Sequence, residues 1–162
     1  MVDLEHSIYA KRAMDNFKSG YNCSQSVVLA FSDKIGVDKE ILLKISSSFG
    51  GGMGRLREVC GGVTGMFMVI GLLYGYTEPK DIQGKTEHYK KVQELAEEFS
   101  DITGSIVCRE LLGLSPDVKK ESYIPSERTE EYYKKRPCVE MVGTAAAVLE
   151  EYLRKCGDID EE

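Results

Sequence analysis

Residues 49–75 read FGGGMGRLREVCGGVTGMFMVIGLLYG, and no other stretch limits the fold as strongly. The second half, residues 63–73, is apolar on nearly every side. That pattern marks a helix buried all round, not one laid on a surface. The first half is dense in glycine, which lets backbones approach closely and take positive φ. Cys60 falls between the two halves. The expectation is a thiol at the mouth of a central helix, with little side-chain bulk around it. The apolar run is shorter than the roughly 20 residues that span a bilayer. Gly71 and Gly75 interrupt or bound it, so no direct membrane insertion is expected.

The rest of the chain supplies helices to wrap that segment. Leu4, Ile8, Ala13, Met14 and Phe17 make an apolar stripe over residues 3–18, with Gly20 as a stop. Asn22 reads as an N-cap with Gln25 three residues on, the spacing of a capping box. Cys23 is then the first helical residue. Asp38 begins another helix, with Ile41, Leu42 and Ile45 inward, to about Ser48. A long helix is expected over residues 85–103 on Val92, Leu95, Ala96, Phe99 and Ile102. Ser105 caps a short helix that carries Cys108 at its third position, and Gly113 closes it. Residues 114–136 are polar, with two prolines and dense charge. They suggest a mobile connection with a short helix near residues 127–134, either a lid or a solvated linker. Pro137 suits a first helical position, where its missing N–H goes unused. The last helix follows with Cys138, Val142, Ala145, Leu149 and Tyr152 on one face. No strand pattern appears. The fold class is all-α, a single-domain helical bundle over residues 1–162 around a buried central helix preceded by a glycine-rich loop.

A chain of 162 residues is long enough to bury most of its apolar surface as one domain. The formal charge of −6, with no basic stripe, argues against a nucleic-acid partner. The N-terminus MVDLEHSIYAKRAM is unlike a secretory signal, so a cytoplasmic protein is expected. In that compartment thiols are more often buried, metal-bound or catalytic than paired in structural disulfides. Cys23, Cys60, Cys108, Cys138 and Cys156 contain no C-x-x-C spacing, which removes the zinc-ribbon and thioredoxin signatures. A shared site must be built by the fold.

Four of the five cysteines fall at or near a predicted helix start, where free N–H groups and the helix dipole favour anions. A thiol so placed has a lowered pKa and more thiolate, the form that attacks disulfides and binds metals. If Cys23, Cys60, Cys108 and Cys138 converge, they can hold an iron–sulfur cluster or a structural zinc. They can also work as thiol/disulfide pairs. Against these stands inert packing of small buried thiols. Cys156 lies 18 residues beyond Cys138, about 27 Å along a helix, and cannot join them. Arg55 and Arg57 either give the loop a positive rim or are simply solvated. His6 and His88 read as a solvated and a packed histidine. A nucleotide site in the GGGMG loop is a distant alternative, since no strand precedes it and no G-K-[ST] follows.

The same residues resemble the C_GCAxxG_C_C family of redox-active proteins over residues 20–153. Asn22-Cys23, Cys60 within FGGGMGRLREVCGGVTG, Cys108 in CRELLG, and Cys138 ahead of an alanine-rich helix match in order and spacing. The family's C-G-A-x-x-G reads Cys60-Gly61-Gly62-Val63-Thr64-Gly65, with Gly62 in place of alanine. The resemblance implies a redox role in which Cys23, Cys60, Cys108 and Cys138 are the redox or metal-binding residues. Gly61 and Gly62 would lie beside any bound cofactor. A similar domain occurs in split-Soret-type cytochromes, where an iron–sulfur site has been considered; this chain has no C-x-x-C-H for haem. As a cluster protein it would carry single electrons. As a dithiol protein, Cys60 would attack, because its glycine loop offers access. The implied partners are another redox protein, a small oxidant, or a membrane-associated redox or transport system. The acidic surface and the long helix would serve a homodimer. A non-enzymatic scaffold with zinc or inert thiols is the competing class.

Overall fold

In the computed structural model, residues 2–118 and 121–160 are described. Ten helical segments follow one another among them: α1 (Ile8–Lys18), α2 (Cys23–Ala30), α3 (Ser32–Ile35), α4 (Lys39–Ser47), α5 (Gly50–Met53), α6 (Gly61–Tyr74), α7 (Ile82–Thr103), α8 (Cys108–Leu111), α9 (Glu130–Lys135) and α10 (Cys138–Cys156). Among the described residues there is no strand, only one antiparallel bridge between Val59 and Val107. The all-α expectation holds.

α6 is the centre. Val63, Met66, Val69 and Ile70 are fully buried, and α2, α10 and α7 pack around them. The helix is buried all round only over its first six residues; Phe67 and Met68 are half-buried, and Leu72, in its last turn, is exposed. Close approach at its start depends on missing side chains. A Cβ on Gly61 would stand 2.7 Å from Cβ of Cys23, and one on Gly65 would stand 2.9 Å from the Ser24 carbonyl oxygen. α2 can therefore lie against α6 backbone to backbone. α1 closes the core across α2 and α10 with Ala10, Ala13 and Phe17. No helix among the described residues is long and apolar enough to cross a membrane.

Local signals set most boundaries. Asn22 accepts from the Gln25 N–H at 2.9 Å, and the Gln25 side chain accepts from the Asn22 N–H at 3.1 Å, completing the capping box. Asp38 caps α4 as expected. α1 starts at Ile8, five residues later than predicted. Asp3 closes a separate turn by accepting from Glu5 and His6, and Ser7 is the true cap. α7 starts three residues early because Asp81 caps it through Gly84 N–H. Two apolar stripes are narrower than their periodicity implies. Ile41 and Ile45 of α4 are 50% and 56% exposed, while Leu42 and Ser46 face the core. In α7 only Leu95 and Phe99 are buried and Ile102 is exposed. Both helices meet the bundle along one edge.

Candidate functional site

The four cysteines of interest all stand at helix starts. Cys23, Cys108 and Cys138 are the first residues of α2, α8 and α10, and Cys60 is the N-cap of α6. Cys108 is thus first in its helix, not third, because Ser105 bonds to the Val107 N–H before the helix begins. Short backbone pairing joins two of the sites. The Cys60 N–H donates to the Ile106 carbonyl at 2.8 Å, and the Cys108 N–H donates to the Glu58 carbonyl at 2.6 Å. The bare backbone of Gly61 brings Cys23 alongside. Gly62 faces Met141 and Ala145 near the start of α10, so Cys138 comes to the same place. All four side chains line one pocket of about 260 Å³. Cys156 is exposed at the far end of α10.

The glycine loop builds one wall of this pocket in an unusual conformation. Gly51, Gly52 and Gly54 are left-handed, and so are Met53, Arg55 and Arg57, at φ of 68°, 69° and 58°. A non-glycine residue there costs about 1–2 kcal/mol. The loop's own bonds hold it: Met53 N–H donates to Phe49, Gly54 to Gly50, Arg57 to Gly51 and Glu58 to Gly52. Those donors are engaged internally and do not form a phosphate cradle. The consequence is the placement of two arginines. Arg57 is 3% exposed; its Nη1 donates to Cys108 Sγ at 3.6 Å and its Nε to Glu121 Oε1 at 3.1 Å. Arg55 Nη2 meets the other Glu121 oxygen at 2.8 Å. Neither arginine is solvated in the way the bland expectation had it.

Arg55 also pins the polar connection over the site, donating to the Ser122 carbonyl at 2.6 Å and toward Ser126 Oγ at 3.4 Å. Tyr123, Pro125 and Ser126 line the pocket, followed by Arg128, Tyr132 and Arg136. Part of the connection is thus a wall of the site, although most of its described residues are exposed; Lys119 and Lys120 within it lie outside the described residues. Arg109, next to Cys108 in sequence, turns away to Glu58 at 2.6 Å.

The thiols are not equivalent. Burial pushes the Cys60 thiol up to about 12, although the N–H groups of Gly62 and Val63 donate to its sulfur and work against the shift. Cys108 is also raised, by burial, and its bond from Arg57 only partly offsets this. Cys138 moves the other way, down to about 7. The Cys23 thiol donates toward its sulfur, and Arg136, Arg57 and Arg128 add attraction against the opposing cost of burial. Cys23, as the donor, is correspondingly raised, with burial adding to the effect. Helix-start placement alone does not lower a thiol pKa here; desolvation wins at Cys60 and Cys108, and at Cys23 the bond to Cys138 raises the thiol further than burial does. The accessible thiolate expected at Cys60 stands instead at Cys138. Cys60 is 6% exposed, whereas Cys23 and Cys138 are half-buried.

Convergence on one pocket is not coordination. Among the described residues, no group of three or more His, Cys, Asp or Glu side chains is arranged to hold a metal ion. As placed, the four thiols do not make a single-metal site. His6 is exposed and paired with Asp3, and His88 packs against Tyr76, both away from the thiols. Sequence reasoning missed Arg128, Arg136, Glu121 and Tyr132. One signal was available: Arg136 lies two residues before Cys138.

Gly62 occupies the motif's alanine position, and the structure shows why both residues suit it. A Cβ there would meet the Met141 carbonyl at 3.3 Å and the Ala145 Cβ at 3.4 Å, close but with no clash against rigid backbone below 3 Å. The helix-propensity gain of alanine, up to about 1 kcal/mol, opposes that crowding. Gly62→Ala is expected to leave the melting temperature within about 3 °C of the native value. A fall of more than about 10 °C would show that α6 and α10 cannot give way.

No curated protein and no solved structure matches the chain. A family model does, over residues 21–152, a span that takes in all four pocket cysteines and stops short of Cys156. The chain belongs to that family, described as "Putative redox-active protein (C_GCAxxG_C_C)".

Proposed function

We propose that the protein is a thiol/disulfide redox protein in which Cys138 attacks and Cys23 resolves. The observation that carries this is the polarised pair: a Cys138 sulfur held down to about 7 by a Cys23 thiol that donates toward it. In the first step the Cys138 thiolate attacks one sulfur of a substrate disulfide. A mixed disulfide forms, and the other substrate sulfur leaves as a thiolate that takes up a proton. The Cys23 sulfur, losing its proton, then attacks Cys138 and releases the second substrate thiol. The balance is one substrate disulfide reduced to two thiols, two electrons and two protons transferred, and one Cys23–Cys138 disulfide formed. A dithiol reductant, such as a partner redox protein, restores the pair. Cys60 and Cys108, with raised pKa values, serve as packed thiols under the site. A cytoplasmic setting, where thiols are kept reduced, belongs to the same proposal.

The iron–sulfur and zinc alternatives draw support from four cysteines in one pocket, but they require the sulfurs to close on a common centre. Anaerobic purification followed by iron, zinc and acid-labile sulfide analysis separates the classes. The dithiol reading expects substoichiometric metal and, after mild oxidation, a Cys23–Cys138 disulfide in the peptide map. Stoichiometric iron with matching sulfide, or stoichiometric zinc, with no such disulfide, would overturn it.

A further inference from the structure

The chain carries a net charge of −6, yet its cysteine pocket is lined by Arg55, Arg57, Arg128 and Arg136 and, among the described residues, by no carboxylate. Glu121, just behind the lining, is shared by Arg55 and Arg57. Among the described residues, that carboxylate pairs with two of the four guanidiniums and none pairs with the other two. Arg128 donates to the Phe17 and Tyr21 carbonyls at 3.0 and 3.2 Å, which fixes its position without neutralising it. Arg136 lies 5.0 Å from the centre of the Tyr132 ring and forms no ion pair among the described residues. Arg57 is the most telling. Its side chain is 3% exposed, and its Nη2 is buried with no hydrogen-bond partner. Glu121 already pairs the Arg57 charge, but leaving a buried N–H of a charged group without an acceptor is costly, so that nitrogen normally finds a further, anionic partner. A single thiolate at Cys138 does not balance this much positive charge.

The pocket also has a size and a texture. Its volume of about 260 Å³ suits a small molecule. Leu111, Leu112 and Met141 offer apolar walls. Arg55 pins Ser122 and Ser126 beside it, so Tyr123, Pro125 and Ser126 form one wall.

We propose that the substrate is a small disulfide bearing carboxylates, whose anionic ends are held by Arg136 and Arg128 over the buried Arg57 while its sulfurs lie against Cys138. This rests on the dithiol function proposed above and names its substrate class. The exchange is the two-step one already balanced, with the dithiol reductant closing the cycle. Charge selects the substrate, and the cationic pocket raises its local concentration.

The test uses the full reduced chain and three disulfides of similar reach and opposite charge: 3,3′-dithiodipropionate, bis(2-hydroxyethyl) disulfide and cystamine. At pH 8 and low salt, Cys138 is expected to react with the dianion about tenfold faster than with the neutral compound, and slowest with the dication. The preference should fade with added salt. In Arg136→Gln the dianion-to-neutral ratio should fall to about threefold or less; dividing by the neutral rate removes any change in thiolate content. A second measurement needs no redox step. Suberate, a dicarboxylate that mimics the dianion without a disulfide, should bind the native chain and Cys138→Ser by calorimetry, and Arg136→Gln at least about fivefold more weakly. Suberate binding without reaction of any disulfide would keep the anion site and overturn the dithiol function. Reaction with all three disulfides at equal rates, with no suberate binding, would keep the dithiol function and overturn the anionic substrate. A protein disulfide reacting faster than dithiodipropionate would overturn the small-molecule assignment.

Discussion

Cys138→Ser, made in a chain whose exposed Cys156 is already serine, is expected to lower iodoacetamide labelling at pH 7.5 by about tenfold or more. At that pH most of Cys138 is thiolate, because its pKa is held down to about 7. The thiols that remain are Cys60, raised to about 12, Cys108, also raised, and Cys23, which loses the bond to Cys138 that contributes most to its shift but stays raised by burial. The thiolate is the reacting form, so their labelling is slow. The sign gives a second check. Cys138 gains charge as pH rises, so its rate should climb about tenfold from pH 6 to 8 and then level off. An ordinary thiol, with a pKa of about 8.5, would still be climbing at pH 9. Cys23→Ala removes the donor that contributes most to the shift, so the plateau should move to higher pH. It also removes the resolving sulfur, so the mixed disulfide with a substrate should accumulate. A labelling profile unchanged by Cys138→Ser, or one that keeps rising past pH 9 in the native chain, would end the assignment of the nucleophile.

Gly52→Ala is expected to be the most damaging small substitution, at about 2–4 kcal/mol, or a fall in melting temperature of about 5–15 °C. Two penalties combine. Gly52 holds φ of 67°, where a side chain is strained. A Cβ there would also stand 2.7 Å from Cβ of Cys108, 2.8 Å from the Arg57 Cα and 2.8 Å from the Glu58 nitrogen. Two of these atoms are backbone and cannot swing aside. The Glu58 N–H bond to the Gly52 carbonyl, at 3.0 Å, would be strained with them. The damage should reach the site, because the same loop sets Arg57 under Cys108. Calorimetric unfolding measures the first effect. The second should appear as faster labelling of Cys108. A variant as stable as the native chain would mean that the left-handed run is not required.

Much of the architecture was legible because it rests on local chemistry. Asn22 and Gln25 announce a capping box that forms as read. The run after Gly61 announces a buried helix, since apolar residues on every face leave no side for water. The helix start at Cys23 follows from its cap, while those at Cys108 and Cys138 fall two and one residues from where Ser105 and Pro137 would set them. Where the legible signals misled, a competitor nearby had prevailed. Ser7 caps α1 and starts it five residues later than the apolar stripe implies, and Ile41 and Ile45 keep helical spacing on a face that the described helices leave exposed.

The thiol chemistry was decided elsewhere. Sequence placed four cysteines at helix starts and implied four lowered pKa values, because a dipole is a local property. Tertiary packing then set the desolvation of each sulfur and the distance to each guanidinium, and neither quantity has a signature in spacing. Cys60 is shut in by the very glycines expected to expose it, because bare backbone lets α2 close over α6. Cys138 is met by Cys23 from 115 positions earlier and by Arg57 from 81 positions earlier. The sequence by itself determined an all-α bundle, its central helix and the four cysteines that belong together. Which of them carries charge was left to the folded structure, since burial and long-range electrostatics exist only once distant segments touch.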